Sequence, residues 1–177
     1  MVEARPVADD AELAQILALQ RCNLARNLDE REIAGNGFVT VEHTLDVLRR
    51  MHALAPSIIA KDGSDLAGYA LVMPLQCRSF IPVLEPMFRR LEALGMFRGR
   101  FYVMGQICVA KPYRGRGVFD LLYRAHRERL RGNFDSVVTE VSVRNLRSLR
   151  AHQRVGFEEL ERYRDATDEW VVLIWKW

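Results

Sequence analysis

Residues 101–130, FYVMGQICVAKPYRGRGVFDLLYRAHRERL, decide the fold, because an apolar run passes into an amphipathic one through the turn Arg114-Gly115-Arg116-Gly117. This order predicts a strand, a tight glycine-bearing turn and a helix that begins at Val118. Glycine allows positive φ and a close backbone approach, while the N–H groups of the turn and of the first helical turn attract negative charge. We therefore expect a pyrophosphate cradle, with a plain solvated turn as the alternative.

A second segment further along the chain carries Asn145, Ser148, His152 and Gly156-Phe157 within one strand–helix–strand unit. The first three residues are spaced i, i+3, i+7 and form one polar stripe along the predicted helix. Asn145 is also a good N-cap, and capping alone would explain it. The stripe therefore marks either a ligand-facing helix edge or an ordinary capped helix.

Together these two segments resemble the cofactor-binding core of the GNAT superfamily of acyl-CoA-dependent N-acyltransferases. The family turn reads Gln/Arg-x-x-Gly-x-Gly/Ala, and its later helix reads Asn-x-x-Ala/Ser-x-x-x-Tyr-x-x-x-Gly-Phe. Two positions depart from the pattern: Phe119 stands where the family has Gly or Ala, and His152 replaces the tyrosine. The resemblance is specific over about residues 105–157 and compatible elsewhere.

The resemblance implies a GNAT-like α/β (α+β) fold, in which a mixed, mostly antiparallel sheet of six to seven strands is flanked by helices on both faces. It implies acetyl-CoA as co-substrate and transfer of the acetyl group to a primary amine by direct attack in a ternary complex. A non-catalytic acyl-CoA-binding regulatory module is the alternative, and Phe119 and the missing tyrosine are its best support.

The resemblance also implies where the cofactor binds. The backbone of three strand residues would hold the pantetheine arm as though it were an added strand, and the turn and later helix would hold the rest. The residues are Ile107, Cys108, Val109, Arg114, Gly115, Arg116, Gly117, Val118, Phe119, Asn145 and Ser148.

Two residues are candidates for proton transfer. The stretch from Glu140 resembles that of ribosomal-protein N-terminal acetyltransferases, which use a glutamate at this position as proton acceptor, so Glu140 is the expected general base. Water-mediated deprotonation is the rival. His152, at the tyrosine position, is the expected general acid toward the coenzyme A thiolate, although imidazole has an unperturbed pKa near 6.5. A half-exposed strand residue and a plain helix residue are the alternatives.

Composition limits the other possibilities. With 177 residues, 49% of them hydrophobic, the chain is expected to form one domain over residues 1–177. An acidic N-terminus and the lack of a long apolar run give no support to secretion or to membrane insertion. Cys22, Cys77 and Cys108 show no metal-ligand spacing, so we expect no metal and reduced thiols in a cytoplasmic protein.

Charge and aromatic residues bear on partners. The net charge is +3, and arginines cluster at 124–131 and 144–154. Interleaved acids and the lack of a stacking pattern disfavour nucleic-acid binding and favour a solvated face or a phosphate-attracting rim. Trp170, Trp175 and Trp177 would shape the pocket of a small-molecule or peptide amine, or form a homodimer contact.

Periodicity and turn residues place the other elements. Strands are expected at 2–5, 57–61, 66–74, 101–110, 136–143, 157–163 and 169–177, and helices after Asp9, at 43–54, from 118 to near 132 and at 145–155. Residues 73–100 contain an amphipathic piece between Leu84 and Leu94. It predicts either a packing helix or a substrate-side lid.

Overall fold

The computed structural model describes the backbone of residues 1–177 and the side chains of all of them except Ala34. The strands are β1 Glu3–Pro6, β2 Ile58–Asp62, β3 Asp65–Met73, β4 Phe101–Val109, β5 Ser136–Ser142, β6 Glu158–Arg164 and β7 Glu169–Lys176. The helices are α1 Asp10–Arg21, α2 Glu30–Asn36, α3 Leu45–Leu54, α4 Glu85–Ala93, α5 Val118–Leu130 and α6 Leu146–Val155. The sequence predicted every strand to within one residue, and it missed α2.

The described strands form one seven-stranded sheet in the order β1-β2-β3-β4-β5-β7-β6. Neighbouring strands are antiparallel except for β4 and β5, which are parallel. Helices α1, α3 and α4 pack on one face of the sheet, and α5 and α6 pack on the other. The predicted mixed, mostly antiparallel sheet with helices on both faces is confirmed.

Central strand β4 is buried on both faces, as its unbroken apolar run predicts. Val103 belongs to the core under α1, α3 and α4, while Tyr102 and Met104 belong to the core under α5. Burying a large apolar side chain contributes about 1.5–3 kcal/mol. The strand that carries the site is therefore held firmly between two cores.

The parallel pair β4–β5 opens after three residue pairs. Pairing joins Phe101–Val103 to Ser136–Val138 and extends no further among the described residues. At the opening, Thr139 Oγ1 donates to the Met104 carbonyl at 3.0 Å. Beside it, Gly105 and Gln106 form a bulge, and a Cβ on Gly105 would lie 1.8 Å from Met73 Sδ. The two strands therefore diverge beside a glycine that no larger residue can replace without displacing Met73.

Helix α4 lies in the segment that separates β3 from β4. Its residues Met87, Phe88 and Leu91 are fully buried in the core. The packing-helix interpretation of this segment therefore holds for one face of α4, while the other face is free to contribute to a surface. Among the described residues, none of the helices combines the length and the apolar composition of a membrane span.

Three buried histidines predict loss of stability in acid. Burial lowers the pKa of His43, His126 and His152 from 6.5 to about 4. Because the unfolded chain binds protons more readily in this range, stability present above pH 6.5 is lost as the pH falls toward 4, by at most roughly 3 kcal/mol per histidine. Urea unfolding between pH 7.5 and 4.5 measures this loss. His126→Gln is expected to reduce the slope, and a pH-independent free energy of unfolding would contradict the prediction.

Candidate functional site

The predicted cradle has the backbone that its glycines require. Gly115 and Gly117 have φ of 74° and 77°, in the left-handed region that other residues rarely adopt. Helix α5 follows directly, with Gly117 as its N-cap and no side-chain cap. The six N–H groups from Gly115 to Asp120 donate to no atom of the described residues. Six free donors at the positive end of a helix dipole are the arrangement that favours binding of an anion.

The two arginines of the turn, Arg114 and Arg116, make different contacts. Arg114 Nε donates to the Val109 carbonyl at 3.1 Å and its Nη2 to Asn23 Oδ1 at 2.5 Å, so its guanidinium ties the turn to the end of β4 and to the residues after α1. The Arg116 guanidinium lies 5.2 Å from the centroid of the Tyr113 ring. Arg114 therefore supports the cradle from behind, and the N–H groups remain free for an anion.

A cleft of about 700 Å³ runs from the cradle toward the diverging strands, within the usual size range of ligand sites. All but one of the predicted cofactor-binding residues line it, the exception being Arg116. These lining residues are Ile107, Cys108, Val109, Arg114, Gly115, Gly117, Val118, Phe119, Asn145 and Ser148.

Phe119 does not close the cleft, although it replaces a small family residue. Its ring centroid lies 5.2 Å from that of Tyr123 and 5.1 Å from that of His152. The phenyl group thus packs within an aromatic cluster beside the cleft, while its N–H remains in the cradle.

The wall opposite β4 comes from residues 35–41, which the sequence did not identify as part of the site. Asn145 Nδ2 donates to the Phe38 carbonyl at 3.0 Å, and Gln106 Nε2 donates to the Val41 carbonyl at 2.8 Å. Val39 pairs with residues after α1 through two backbone hydrogen bonds. Side chains of β4 and of the Asn145 cap therefore fix this wall.

The mouth of the cleft is basic. Arg147, Arg150 and Arg154, from the second predicted arginine cluster, line it. Arg147 donates to the Gly35 carbonyl at 2.8 Å and Arg154 to Asp120 at 2.9 Å. Their placement around the anion cradle favours the phosphate-attracting rim over a merely solvated face.

A cavity of about 70 Å³ lies between the diverging strands, lined by residues 105–107 of β4 and 139–142 of β5. It shares Phe38, Val39, Ile107, Asn145 and Ser148 with the cleft. The cavity is therefore the inner end of the same site. A ligand whose anionic part occupies the cradle would place its far end here.

Glu140 lines this inner end and is mostly buried. Burial raises its pKa to about 7, against the opposing effect of a hydrogen bond from the Tyr163 hydroxyl, whose oxygen lies 2.5 Å from Glu140 Oε2. A carboxyl group with a pKa near the working pH is suited to general base catalysis. The structure thus places the expected base where the two strands part.

His152 borders the inner end, but its ring is held in the neutral form. The Nδ1–H donates to the Ser148 carbonyl at 2.8 Å, so Nε2 accepts the Tyr123 hydroxyl at 2.7 Å. The residue is 1% exposed, and burial lowers its pKa to about 4. This environment argues against the expected imidazolium donor, because both ring nitrogens are occupied and protonation is opposed. We therefore do not retain that role for His152.

Two further residues of β4, Gln106 and Cys108, line the site. Gln106 Oε1 accepts hydrogen bonds from Gln20 Nε2 at 2.7 Å and from the Tyr69 hydroxyl at 2.5 Å, so this lone polar residue both bonds the neighbouring strand and borders the inner cavity. Burial raises the pKa of the Cys108 thiol to about 12. A thiol with a raised pKa carries little thiolate near neutral pH, which disfavours a nucleophilic role for Cys108. The described residues form no cluster of metal-ligating side chains.

Sequence reasoning missed Tyr163. Its side chain extends from β6 past β7 to reach Glu140 on β5, and only the strand order β5-β7-β6 brings the two together. The C-terminal tryptophans lie in different places. Trp175 packs on Phe157, and Trp177 Nε1 donates to the Phe134 carbonyl at 2.8 Å. They are partly buried, and Trp170 alone of the three lines the inner cavity. The Trp175 and Trp177 rings lie 5.3 Å apart, and a homodimer contact through these residues stays a prediction.

Tyr163→Phe is expected to move the acid limb of the pH–rate profile to higher pH. The lost hydrogen bond lowers the pKa of Glu140 in the native protein, so its removal raises that pKa and leaves less carboxylate at neutral pH. We expect a roughly tenfold fall in kcat/KM at pH 7 that is recovered at higher pH. Tyr102→Phe is the control, because it removes a buried hydroxyl that bonds His126, away from the site. An unshifted limb in Tyr163→Phe would contradict the assignment.

The sequence matches the model of a family described as "Acetyltransferase (GNAT) family" over residues 25–157. Similar solved structures include the NatC complex bound to Gag peptide and CoA, with 18% identity and a TM-score of 0.66 over 99% of this chain and 98% of that chain. The ribosomal-protein-alanine N-acetyltransferase of Brucella melitensis has 18% identity and a TM-score of 0.65, covering 98% of this chain and 99% of that chain.

A third similar structure is yncA of Salmonella typhimurium with its cofactor acetyl-CoA, with 17% identity and a TM-score of 0.65 over 99% of this chain and 94% of that chain. At these identities the likeness shows the fold. A search of curated protein sequences finds no significant match.

Proposed function

Because this chain belongs to the GNAT acetyltransferase family, we propose that it transfers an acetyl group from acetyl-CoA to a primary amine by direct attack in a ternary complex. One observation carries the proposal: a carboxyl group with a pKa of about 7, Glu140, lies at the inner end of a cleft, and backbone N–H groups without a protein acceptor lie at its outer end. An anion site and a base at opposite ends of one cleft suit a long anionic acyl donor and an amine.

The residues present fit acetyl-CoA. The N–H groups of residues 115–120 would hold the pyrophosphate, with Arg150 free at the rim. Ile107, Cys108 and Val109 lie on the edge of β4 that β5 leaves unpaired, where backbone groups would hold the pantetheine arm. Bound there, acetyl-CoA supplies an activated thioester carbonyl.

The inner end would carry out the proton transfer. An amine nitrogen must lose a proton as it attacks the thioester carbon, and the ionised Glu140 carboxylate accepts that proton. The carbon–sulfur bond breaks, the amide forms, and coenzyme A leaves as a thiolate that takes a proton from solvent. A thiolate of ordinary basicity is a good leaving group, so the departure of coenzyme A needs no proton from a buried acid at His152.

A covalent acetyl-enzyme has no support among the described cleft residues. Among the cleft residues, Cys108 has the side chain best suited by type to form a covalent acetyl-enzyme, because it carries a thiol. Burial raises the pKa of this thiol to about 12. Direct transfer within a ternary complex is therefore the simpler route.

The acceptor is an amine, carried either by a small molecule or by a peptide. One similar structure holds a Gag peptide with CoA, and another is a ribosomal-protein-alanine N-acetyltransferase, and both likenesses support a peptide amine. A non-catalytic acyl-CoA-binding module is the second candidate, supported by the neutral, buried His152 at the family's tyrosine position.

Steady-state kinetics with a panel of amines tests the proposal. We expect thiol release that depends on the amine, equimolar acetylated amine by mass spectrometry, and intersecting double-reciprocal lines. Acetyl-CoA binding without thiol release for every amine would favour the non-catalytic module. Parallel lines would indicate a covalent intermediate and contradict direct attack.

A further inference from the structure

A second surface feature lies beside the base, outside the cofactor cleft. Helix α4 and strand β6 enclose a groove of about 590 Å³, which we call the α4–β6 groove. It is lined by Glu85, Pro86, Arg89, Arg90, Ala93, Leu94, Glu161, Tyr163, Arg164 and Asp165. Its volume lies within the range of ligand sites.

Tyr163 connects this groove to the site. Its ring lines the groove, while its hydroxyl bonds Glu140 at 2.5 Å. The Arg90 guanidinium lies 5.0 Å from the ring centroid and donates to Glu161 at 3.0 Å. The hairpin that carries Tyr163 is fixed next to β5, because Asp168 accepts hydrogen bonds from Ser142 and Arg144. A molecule in the groove therefore lies one side chain away from the base.

Of the three carboxylates around the groove, those of Glu85 and Asp165 are fully hydrogen-bonded, and that of Glu161 accepts from Arg90 through Oε1 alone. Glu85 accepts hydrogen bonds from Arg78 and Arg89, and these hold its pKa at about 2. Asp165 accepts from Thr167, from the Asp168 N–H and from Trp170 Nε1. The unpaired oxygen of Glu161, Oε2, is shielded from solvent. Little acceptor capacity faces an occupant.

The arginines at the rim keep free donors. Arg89 is 77% exposed and donates through Nε alone to Glu85, and Arg164 is 76% exposed and donates through Nη2 alone to Glu169. A guanidinium has five N–H donors, so most of theirs have no partner among the described residues. Pro86, Ala93 and Leu94, the last 47% exposed, give the floor an apolar character. The groove therefore suits an occupant with an anionic group and apolar surface.

We propose that the α4–β6 groove binds the body of a peptide acceptor and selects an acidic residue close behind the reacting N-terminal amine; this inference rests on the proposed acetyl transfer. The side chain of Tyr163 lies between the groove and Glu140. A molecule that occupies the groove and also presents its amine to Glu140 must therefore be extended. An extended peptide advances about 3.3–3.6 Å per residue, which brings its first few side chains past Tyr163. Carboxylates among those side chains would meet Arg89 and Arg164.

The test compares three amidated peptides, Ala-X-Leu-Gly with X as Glu, Gln or Lys, on wild type, Arg89→Gln, Arg164→Gln and the double variant. In the wild type we expect kcat/KM to fall in the order Glu, Gln, Lys. Each exposed arginine is expected to contribute about 2- to 5-fold to the Glu/Gln ratio, which the double variant brings near 1. Arg129→Gln, an exposed arginine on α5 across the sheet, is the control. Raising the ionic strength should also reduce the Glu/Gln ratio.

The outcomes separate this inference from the proposed function. Equal kcat/KM for the three peptides, or a charge preference unchanged in the double variant, would overturn the inference. Acetylation of small amines with all peptides inert would also overturn it and leave the acetyltransferase function intact. Failure to acetylate any amine would instead count against the proposed function itself.

Discussion

Replacing Glu140 with glutamine is expected to lower kcat by about 10²–10⁴-fold, because the variant retains the shape of the side chain but has no carboxylate to accept the amine proton. The pH–rate limb near the Glu140 pKa of about 7 should disappear as well. In the wild type the rate should fall tenfold per pH unit below that pKa, since protonated Glu140 is inactive. Acetyl-CoA affinity should change little, because the N–H groups of residues 115–120, and not Glu140, would hold the pyrophosphate.

The same substitution is expected to stabilise the protein at alkaline pH. The pKa of Glu140 rises from 4.5 to about 7 on folding, so the native state takes up a proton in this range. The wild type therefore loses stability as the pH rises through that range, by at most roughly 3 kcal/mol. Glutamine does not titrate and avoids this loss. The opposite signs for activity and stability distinguish a buried base from a structural carboxylate.

Chemical denaturation and steady-state kinetics on the same preparations measure both effects. Glu158→Gln is the matched control, because Glu158 is an exposed residue of β6 and should change neither quantity. A Glu140→Gln enzyme with near wild-type kcat would show that water, and not the carboxylate, removes the amine proton. A variant that is less stable at pH 8 would contradict the buried, raised-pKa environment.

Gly117→Glu is expected to abolish measurable acetyl-CoA binding, weakening it by about 100-fold or more. Its carboxylate would oppose the pyrophosphate at the cradle, and like-charge juxtaposition costs several kcal/mol. The left-handed backbone, with φ of 77°, would strain any non-glycine residue here. Gly117→Gln is therefore the essential comparison, since it carries the same strain and nearly the same shape without the charge.

Isothermal titration of acetyl-CoA into the three proteins separates the two effects. We expect the glutamine variant to bind more weakly than the wild type and the glutamate variant to bind least. No Cβ contact restricts either side chain, because nothing lies within 4 Å of the position a Cβ would occupy. Equal affinities for the glutamate and glutamine variants would mean that no phosphate approaches this turn.

The stretch from β4 to α5 could be predicted because its signals are local. An apolar run marks a central strand, two glycines mark the turn, and the apolar period from Val118 marks the helix. The caps that set exact boundaries are also local, as Asn145 shows by accepting the Ser148 N–H. The cleft lining followed from this local geometry together with the family resemblance.

The environment of the proton-transfer residues could not be predicted, because it depends on long-range packing. Helical spacing placed His152 on a polar stripe, yet the rings of Tyr123, Phe119 and Phe157 surround it and keep it neutral. Tyr163 reaches Glu140 only because β7 inserts between β5 and β6. Neither contact has a periodic signature in the sequence.

A single-turnover experiment with acetyl-labelled acetyl-CoA, excess enzyme and a primary amine tests the central claim most directly. Quenched samples are separated into protein, coenzyme A and amine, and the labelled acetyl group is located by mass spectrometry. The account predicts that the label passes from the thioester to the amine with equimolar release of coenzyme A, and that the protein carries none at any time. Label on the protein before the amine, or coenzyme A release without an acetylated amine, would contradict it.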